Sequence, residues 1–409
     1  MEEQRYTRQH PLVISHFCKS SHSFGEIFFL GSASEAIHAL SSFVRYPHIY
    51  WFGVVPLHSP VIKPYPITRG LVSEIQEHPI HFVSGAITPE FYFYLRNHFP
   101  YPRISEQSFV LCVGGEVQRP RTFQYEELLR MPFKELTVPL ECAGNNRGLF
   151  RPRVFGEQWG SGAISQGLWR GVPLRDLLRL TGLQASAKEI VFEGHDSGRR
   201  PDLEGEFVFA RSLPLEKAMH PDTLIAYALN GEPIPYKNGY PLRLIVPQWY
   251  AMASVKWLRS ITVIRTHFSG PFQDIDYMYY PEKDSDTGKT PVTTIQVNSI
   301  IQQPLNRSVL DKGMHQIYGL AWTGTGCISN VEISTDAGEN WRPAVVQPMS
   351  QNAYSWTFWN YTWIADQKGE YTIMSRATDS FGSVQPAAAK WNRKGYGYNA
   401  CSVVHVKVE

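Results

Sequence analysis

The feature that most narrows the fold is the rhythm of the last third of the chain. Six apolar-alternating runs, at 293–300, 315–322, 328–334, 354–363, 371–377 and 403–408, are separated by turn signals such as DAGEN (336–340), QKGE (367–370) and DSFG (379–382). Period-two alternation means that each strand buries one face, and regular turns between such strands build two packed antiparallel sheets. The spacing predicts a β-sandwich of immunoglobulin-like size over 291–409, without the Cys-Trp-Cys signature of true immunoglobulin domains. Its aromatic stretch YSWTFWNYTW (354–363) suits either the core or a subunit interface.

A composition break precedes this region. Residues 271–290 alternate polar, acidic and aromatic side chains without a period and read as a linker. Residues 74–270 mix short strands with short helices: a strand at 108–113, a helical piece at 125–130, a helix opened by Pro173 and ended by Gly182, and strands at 190–192, 242–246 and 257–264. The sequence GHDSGRR after Phe192 reads as a polar loop, and Pro139 as the start of an irregular segment. The expected fold class is α+β, a mixed α+β domain followed by the sandwich. Residues 1–73 read as an irregular arm packed on the next domain, with a helix begun by Ser34; His16, His22 and His38 there have no matching constellation. A length of 409 residues accommodates this plan.

Charge and cysteine usage exclude several functions. With 39 basic and 37 acidic residues, nothing in the composition offers a polyanion-binding face, so no nucleic-acid partner is expected. The five cysteines, at 18, 112, 142, 327 and 401, include no C-x-x-C pair, which argues against zinc ribbons, small iron–sulfur clusters and a disulfide framework. No run of 18 apolar residues is present to cross a bilayer. The cytoplasm is the expected compartment, or the periplasm if the start is misassigned. Dinucleotide and nucleoside-triphosphate glycine motifs are absent.

One loop carries chemistry. LECAGNNRGLF (140–150) sets Cys142 among two glycines, two asparagines and Arg147, surroundings expected to lower a thiol pKa and to suit a metal ligand or an anion-binding nucleophile. A buried, inert cysteine is the competing reading.

The order Cys-Ala-Gly-Asn, one variable residue, Arg resembles the molybdenum-ligating loop of the sulfite oxidase family. FYLRNH (93–98), WGSGAIS (159–165), AYALNGEPIPYKNGYPLRLIV (226–246) and VKWL (255–258) match in the same order, so the resemblance spans about 75–405. It implies a molybdenum on one pyranopterin dithiolene and Cys142, without heme or flavin, and an immunoglobulin-like dimerisation domain. Arg96, Arg147 and Trp159 would line a pocket for a small anionic substrate, with Tyr227 as the active-site tyrosine. Asn97, His98, His195, Arg243, Ser254 and Lys256 would contact the cofactor, with Arg199 and Arg200 beside His195. At the C-terminus the family's pocket arginine is replaced by Lys394, which keeps the charge but loses the bidentate fork; Cys401 and Ser402 also depart from the pattern. The implied reaction is oxidation of sulfite to sulfate, with electrons passed to a separate cytochrome or to oxygen. A sulfane, an S-oxide or nitrate are alternative substrates, and a non-catalytic homodimeric binding protein is the alternative of another class.

Overall fold

The computed structural model describes residues 65–409 apart from 72, 83–84 and 349–352. The expected N-terminal arm therefore lies outside the described residues save for its last few, of which Ile67–Gly70 pairs with Ile75–Glu77.

Two five-stranded sheets form the front domain. In the first, Ile164–Pro173 lies between Lys134–Glu141 and Leu224–Leu229, and the latter also pairs with Arg243–Ile245 and Glu232–Pro233. Lys134–Glu141 is an edge strand, which is why Pro139 sits inside it, opposite Gln166, instead of breaking it: an edge strand tolerates a missing donor. The second sheet runs Arg121–Gln124, Val110–Gly115, Leu258–Ile264, Glu189–Arg200, Leu203–Pro214. Here the expected polar loop GHDSGRR is the second half of a 12-residue strand. It extends because Ser197, Gly198 and Arg199 find ladder partners in Val208, Phe207 and Glu206. The helices fall where expected, Tyr125–Arg130 and Leu174–Thr181, the second burying Leu174, Leu177 and Leu178 and ending at Gly182 with φ +69°.

The sandwich has a four-stranded sheet (Asn298–Gln303, Gly313–Trp322, Thr357–Ala365, Val345–Pro348) and a five-stranded one (Ser308–Leu310, Ser402–Val408, Gly369–Asp379, Ile328–Ser334, Arg342–Pro343). Trp356, Trp359 and Trp363 of the aromatic stretch are all buried, so they are core. One apolar cluster continues from the front domain into the sandwich, joining Phe272, Tyr277 and Val292 to Ile300, Leu320, Trp322 and Trp356. Residues 271–290, expected as a linker, hold a π-helical turn (Pro271–Asp276) and most of a short ladder of Met278–Tyr279 with Thr290–Pro291. This stretch is part of the fold, and it delivers a site residue.

Candidate active site

Cys142 follows directly on the edge strand Lys134–Glu141, and its N–H donates to the Ala163 carbonyl at 2.8 Å. The chain then turns through Asn146, at φ +62°, into a short helical turn at Arg147–Leu149. Asn145 organises the turn from both sides: its amide donates to Glu141 Oε1 at 3.0 Å and its oxygen accepts from the Ala163 N–H at 3.0 Å. Glu141 accepts in addition from the Trp322 indole of the sandwich at 2.9 Å. The backbone around Cys142 is thus held by groups from three segments. Burial pushes the Cys142 thiol up despite the opposing charges of Arg147 and Arg96. This differs from the expectation of a lowered pKa: loss of water outweighs the two cations.

Arg147 is buried and tightly boxed. Its Nε donates to the carbonyls of Lys394 (3.0 Å) and Gly395 (3.2 Å), its Nη1 to that of Glu157 (3.2 Å), and its guanidinium stacks on Tyr396 at 5.0 Å. Gly395 makes this possible, since at φ +62° a Cβ there would meet Val154 at 2.3 Å and Arg147 at 2.9 Å.

Opposite the thiol, one cleft of about 680 Å³, its open mouth included, is lined by Cys142, Arg96, Asn97, His98, Arg243 and Lys256 among others. The residues Arg96–His98 are fixed by mutual hydrogen bonds between Leu95 and Gln76 and by the Asn97 amide on the Glu74 carbonyl. Lys256 donates to Asn97 Oδ1 and to the Arg96 carbonyl. Arg243 is 7% exposed, spends its N–H groups on the carbonyls of Asn238 and Ser254, and lies over Trp169 at 5.3 Å. None of these three cations is ion-paired with a carboxylate among the described residues; their hydrogen bonds go to amides and carbonyls. Burial pulls the Arg243 pKa down to about 10, and burial together with the neighbouring Arg243 charge holds the Lys256 ammonium well below its ordinary value against the opposing pull of Asp196. The same burial raises Asp196, which lines the cleft with Oδ1 unpartnered, to about 6.

His98 and Tyr277 close the cleft. His98 is stacked on Phe209 at 4.9 Å, and its Nε2 is 2.9 Å from the Tyr277 hydroxyl. Burial and the surrounding charges of Arg96, Lys256, Arg200 and Arg211 hold the imidazole neutral, while burial keeps the Tyr277 phenol protonated well above its ordinary range.

Several residues chosen from sequence lie elsewhere. Tyr227 is outside the cleft: along its strand Leu224 and Ala226 join the apolar cluster of Cys142, so Ile225 and Tyr227 point to the other face. The tyrosines that line the cleft are Tyr94 and Tyr277. Trp159 is 1% exposed and packs edge-on against Tyr94, a cleft residue, with its indole N–H unpartnered. His195 does not line the cleft; its ring faces Phe109, and the neighbouring Asp196 takes its place. Ser254 lines the cleft, but its hydroxyl accepts from the Val246 N–H, so its role is to hold backbone. Lys394 does not line the cleft either, and its ammonium lies 3.6 Å from Asp276. Tyr277 was legible only as an aromatic residue, with Phe272 and Tyr280, in a stretch otherwise too polar to need three buried rings.

Comparison with known proteins bears on this geometry. Residues 98–272 match the oxidoreductase molybdopterin binding domain, and residues 289–409 the Mo-co oxidoreductase dimerisation domain. The chain is 33% identical over 349 residues to the mitochondrial sulfite oxidase of Mus musculus, covering 81% of this chain and 63% of that protein. It is 31% identical over 343 residues to the sulfite oxidase of Arabidopsis thaliana, covering 76% of this chain and 86% of the relative. The crystal structure of the sulfane dehydrogenase SoxCD from Paracoccus pantotrophus superposes with a TM-score of 0.71 at 28% identity, covering 92% of this chain and 97% of that one.

Proposed function

The chain belongs to the sulfite oxidase family of molybdopterin-dependent oxidoreductases, and from that premise we propose that it oxidises a small sulfur compound, sulfite first, at a molybdenum held by one pterin and Cys142. The observation that carries this reading is a set of cations, the buried Arg243 and the half-buried Arg96 and Lys256, that share a cleft with a buried thiol and form no ion pair with a carboxylate among the described residues. Burying a charge without a counterion is costly, so a wall built this way fits an anionic ligand. The pterin phosphate is such a ligand, and the unpartnered Asp196 oxygen offers an acceptor to a pterin N–H.

When bound, the cofactor supplies two-electron oxygen-atom transfer. The protein does the rest. Cys142 offers a soft sulfur donor, which a divalent or higher cation draws to the thiolate against the effect of burial. Arg243 and Lys256 neutralise the cofactor's phosphate, and a bound anion raises the Lys256 pKa back toward its ordinary value. Arg96 and Arg147 supply the positive charge that draws an anionic substrate to the cleft. Tyr277 keeps its proton and can donate it to a substrate oxygen or to His98 Nε2. The rings of Phe93, Phe209 and Tyr94 exclude water from the inner wall. Electrons leave to a separate acceptor, a cytochrome or oxygen. The chain works as a two-fold homodimer through residues of 291–409, in keeping with the domain matched there.

A sulfane is the second reading, favoured by the engagement of Lys394 with Asp276. The deciding experiment is metal and pterin analysis of purified protein, followed by a panel of sulfite, a sulfane, an S-oxide and nitrate with an artificial one-electron acceptor. Sulfite turnover with about one molybdenum per chain supports the first reading. Protein from a molybdenum-replete host that holds neither metal nor pterin would point to a binding protein.

A further inference from the structure

A second group of charges sits behind Tyr277, outside the cleft lining, and is paired differently from the first. Arg200 donates to Asp276 at 2.5 and 3.2 Å and to Asp202 at 3.1 and 2.7 Å. Lys394 Nζ lies 3.6 Å from Asp276 Oδ1. Asp276, with its side chain 18% exposed, therefore serves two cations at once. It ends the π-helical turn Pro271–Asp276 and immediately precedes Tyr277 of the cleft. Arg147, which is buried and does not itself line the cleft, lies next to this cluster, its Nε resting on the Lys394 carbonyl. Carbonyl partners leave the Arg147 charge uncancelled, whereas carboxylates cancel those of Arg200 and Lys394. Arg211 donates to the Phe272 carbonyl and lies against the Tyr277 ring at 5.6 Å. The charges of Arg96, Arg147 and Asp276 all act on Tyr396, as does the Cys142 thiol, which places Asp276 within electrostatic reach of the reacting centre.

We propose that Asp276 is a specificity-determining residue: by holding Lys394 it removes one positive charge from those offered to the substrate, so that the site takes a sulfur substrate with at most one negative charge, hydrogensulfite or a terminal sulfane, over a dianion. The inference rests on the oxidoreductase reading above and adds the charge class of its substrate. A lysine suits this arrangement, because its ammonium is a point charge on a flexible stem and settles on the nearest carboxylate, whereas an arginine's fork can serve two partners at once. A dianion must compete with Asp276 for Lys394; a monoanion is satisfied by Arg96 and Arg147 alone.

The test uses two tetrahedral anions of similar shape that differ by one charge, sulfate and perchlorate, titrated calorimetrically into the holoenzyme. Asp276→Asn is expected to tighten sulfate by about tenfold, the equivalent of ~1.4 kcal/mol, and perchlorate by much less. Adding Lys394→Met to that variant is expected to abolish the gain. Lys394→Met alone, a change at a partly exposed side chain that leaves the fold intact, is expected to leave sulfate affinity within about twofold of the parent, since the ammonium is already engaged. An unchanged sulfate-to-perchlorate ratio in Asp276→Asn, a gain that survives Lys394→Met, a tenfold loss in Lys394→Met alone, or no binding of either anion by any variant overturns the proposal. None of these readouts needs turnover, so a failure of the oxidoreductase reading shows separately, as absence of sulfite and sulfane oxidation by the same preparations.

Discussion

The cleft and the seam between the two domains bury polar groups to opposite ends. At the seam, acceptors meet donors: Glu141 takes the Asn145 amide and the Trp322 indole, and Gln166 gives its amide to Ser355 and accepts the Trp356 N–H at 2.7 Å. In the cleft, Arg243 and Lys256 form no ion pair with a carboxylate among the described residues, Asp196 Oδ1 has no donor, and the charges are pulled toward neutrality. Satisfied buried groups fix a structure, while unsatisfied ones cost stability unless something else completes them. The Glu141 and Gln166 side chains at the seam are completed by protein partners, although the Trp356 indole N–H is not; the open partners of the cleft are those a ligand would complete.

That contrast can be broken most severely at Cys142. Cys142→Ser should abolish turnover, a loss beyond the ~100-fold typical of groups one layer removed from a metal, while the chain stays folded; parental activity with a full metal complement would refute the ligand assignment. Tyr277→Phe should lower kcat by about 10²-fold or more if the phenol moves a proton, and Tyr227→Phe should change it little. Comparable losses in the two variants would return Tyr227 to the site. Arg243→Met separates the two regions most directly. With the cofactor it should cost about 2 kcal/mol of retention, roughly thirtyfold, yet the cofactor-free protein should be no less stable than the parent, because an uncompensated buried charge has gone. Equal destabilisation with and without cofactor would show Arg243 to be structural.

The seam should behave in the reverse way. Gln166→Leu leaves the Trp356 N–H without its acceptor and should cost about 1–3 kcal/mol in urea unfolding, by the same amount with and without cofactor. The smallest effect is one of pH. His78, whose Nδ1 is 3.0 Å from the Ile164 carbonyl and whose ring stacks near Trp356, has its pKa lowered to about 4 by burial. A depressed folded pKa means that its contribution is complete above the ordinary value near 6.5 and is lost as pH falls toward 4. The unfolding free energy from urea titrations should fall by about 1 kcal/mol between pH 7.5 and 5.5, and His78→Gln should flatten that slope. An identical slope in the variant would assign the pH dependence to other groups.

The sandwich was legible in the sequence because its strands bury one face each, so period two shows directly; Ile328–Ser334 falls where the pattern puts it. The Cys142 loop was legible because asparagine and glycine at fixed offsets serve a turn. Polar strands hid better. Ser197–Arg199 pairs across a hairpin through its backbone, which composition does not report. Tyr227 and Tyr277 show the same limit at the site: two tyrosines near apolar runs look alike until a sheet face sends one away and a π-helical turn brings the other in. Lys394 was readable as a cation, but its carboxylate neighbour is 118 residues distant in sequence.

The indole of Trp322 reaching Glu141 has a consequence for how such chains can be rearranged. The residue before the Cys142 thiol leans on a side chain contributed by the module that follows, and the two modules share one apolar interior. Neither half is a cassette. A sandwich grafted from a relative must bring an indole, or another N–H donor of similar reach, to the same spot, or leave a carboxylate stranded beside the thiol. Recombination between relatives should therefore succeed where the incoming sandwich supplies such a donor, and crossovers placed between 141 and 322 should yield chains that fold poorly where it does not, even when both parents fold well.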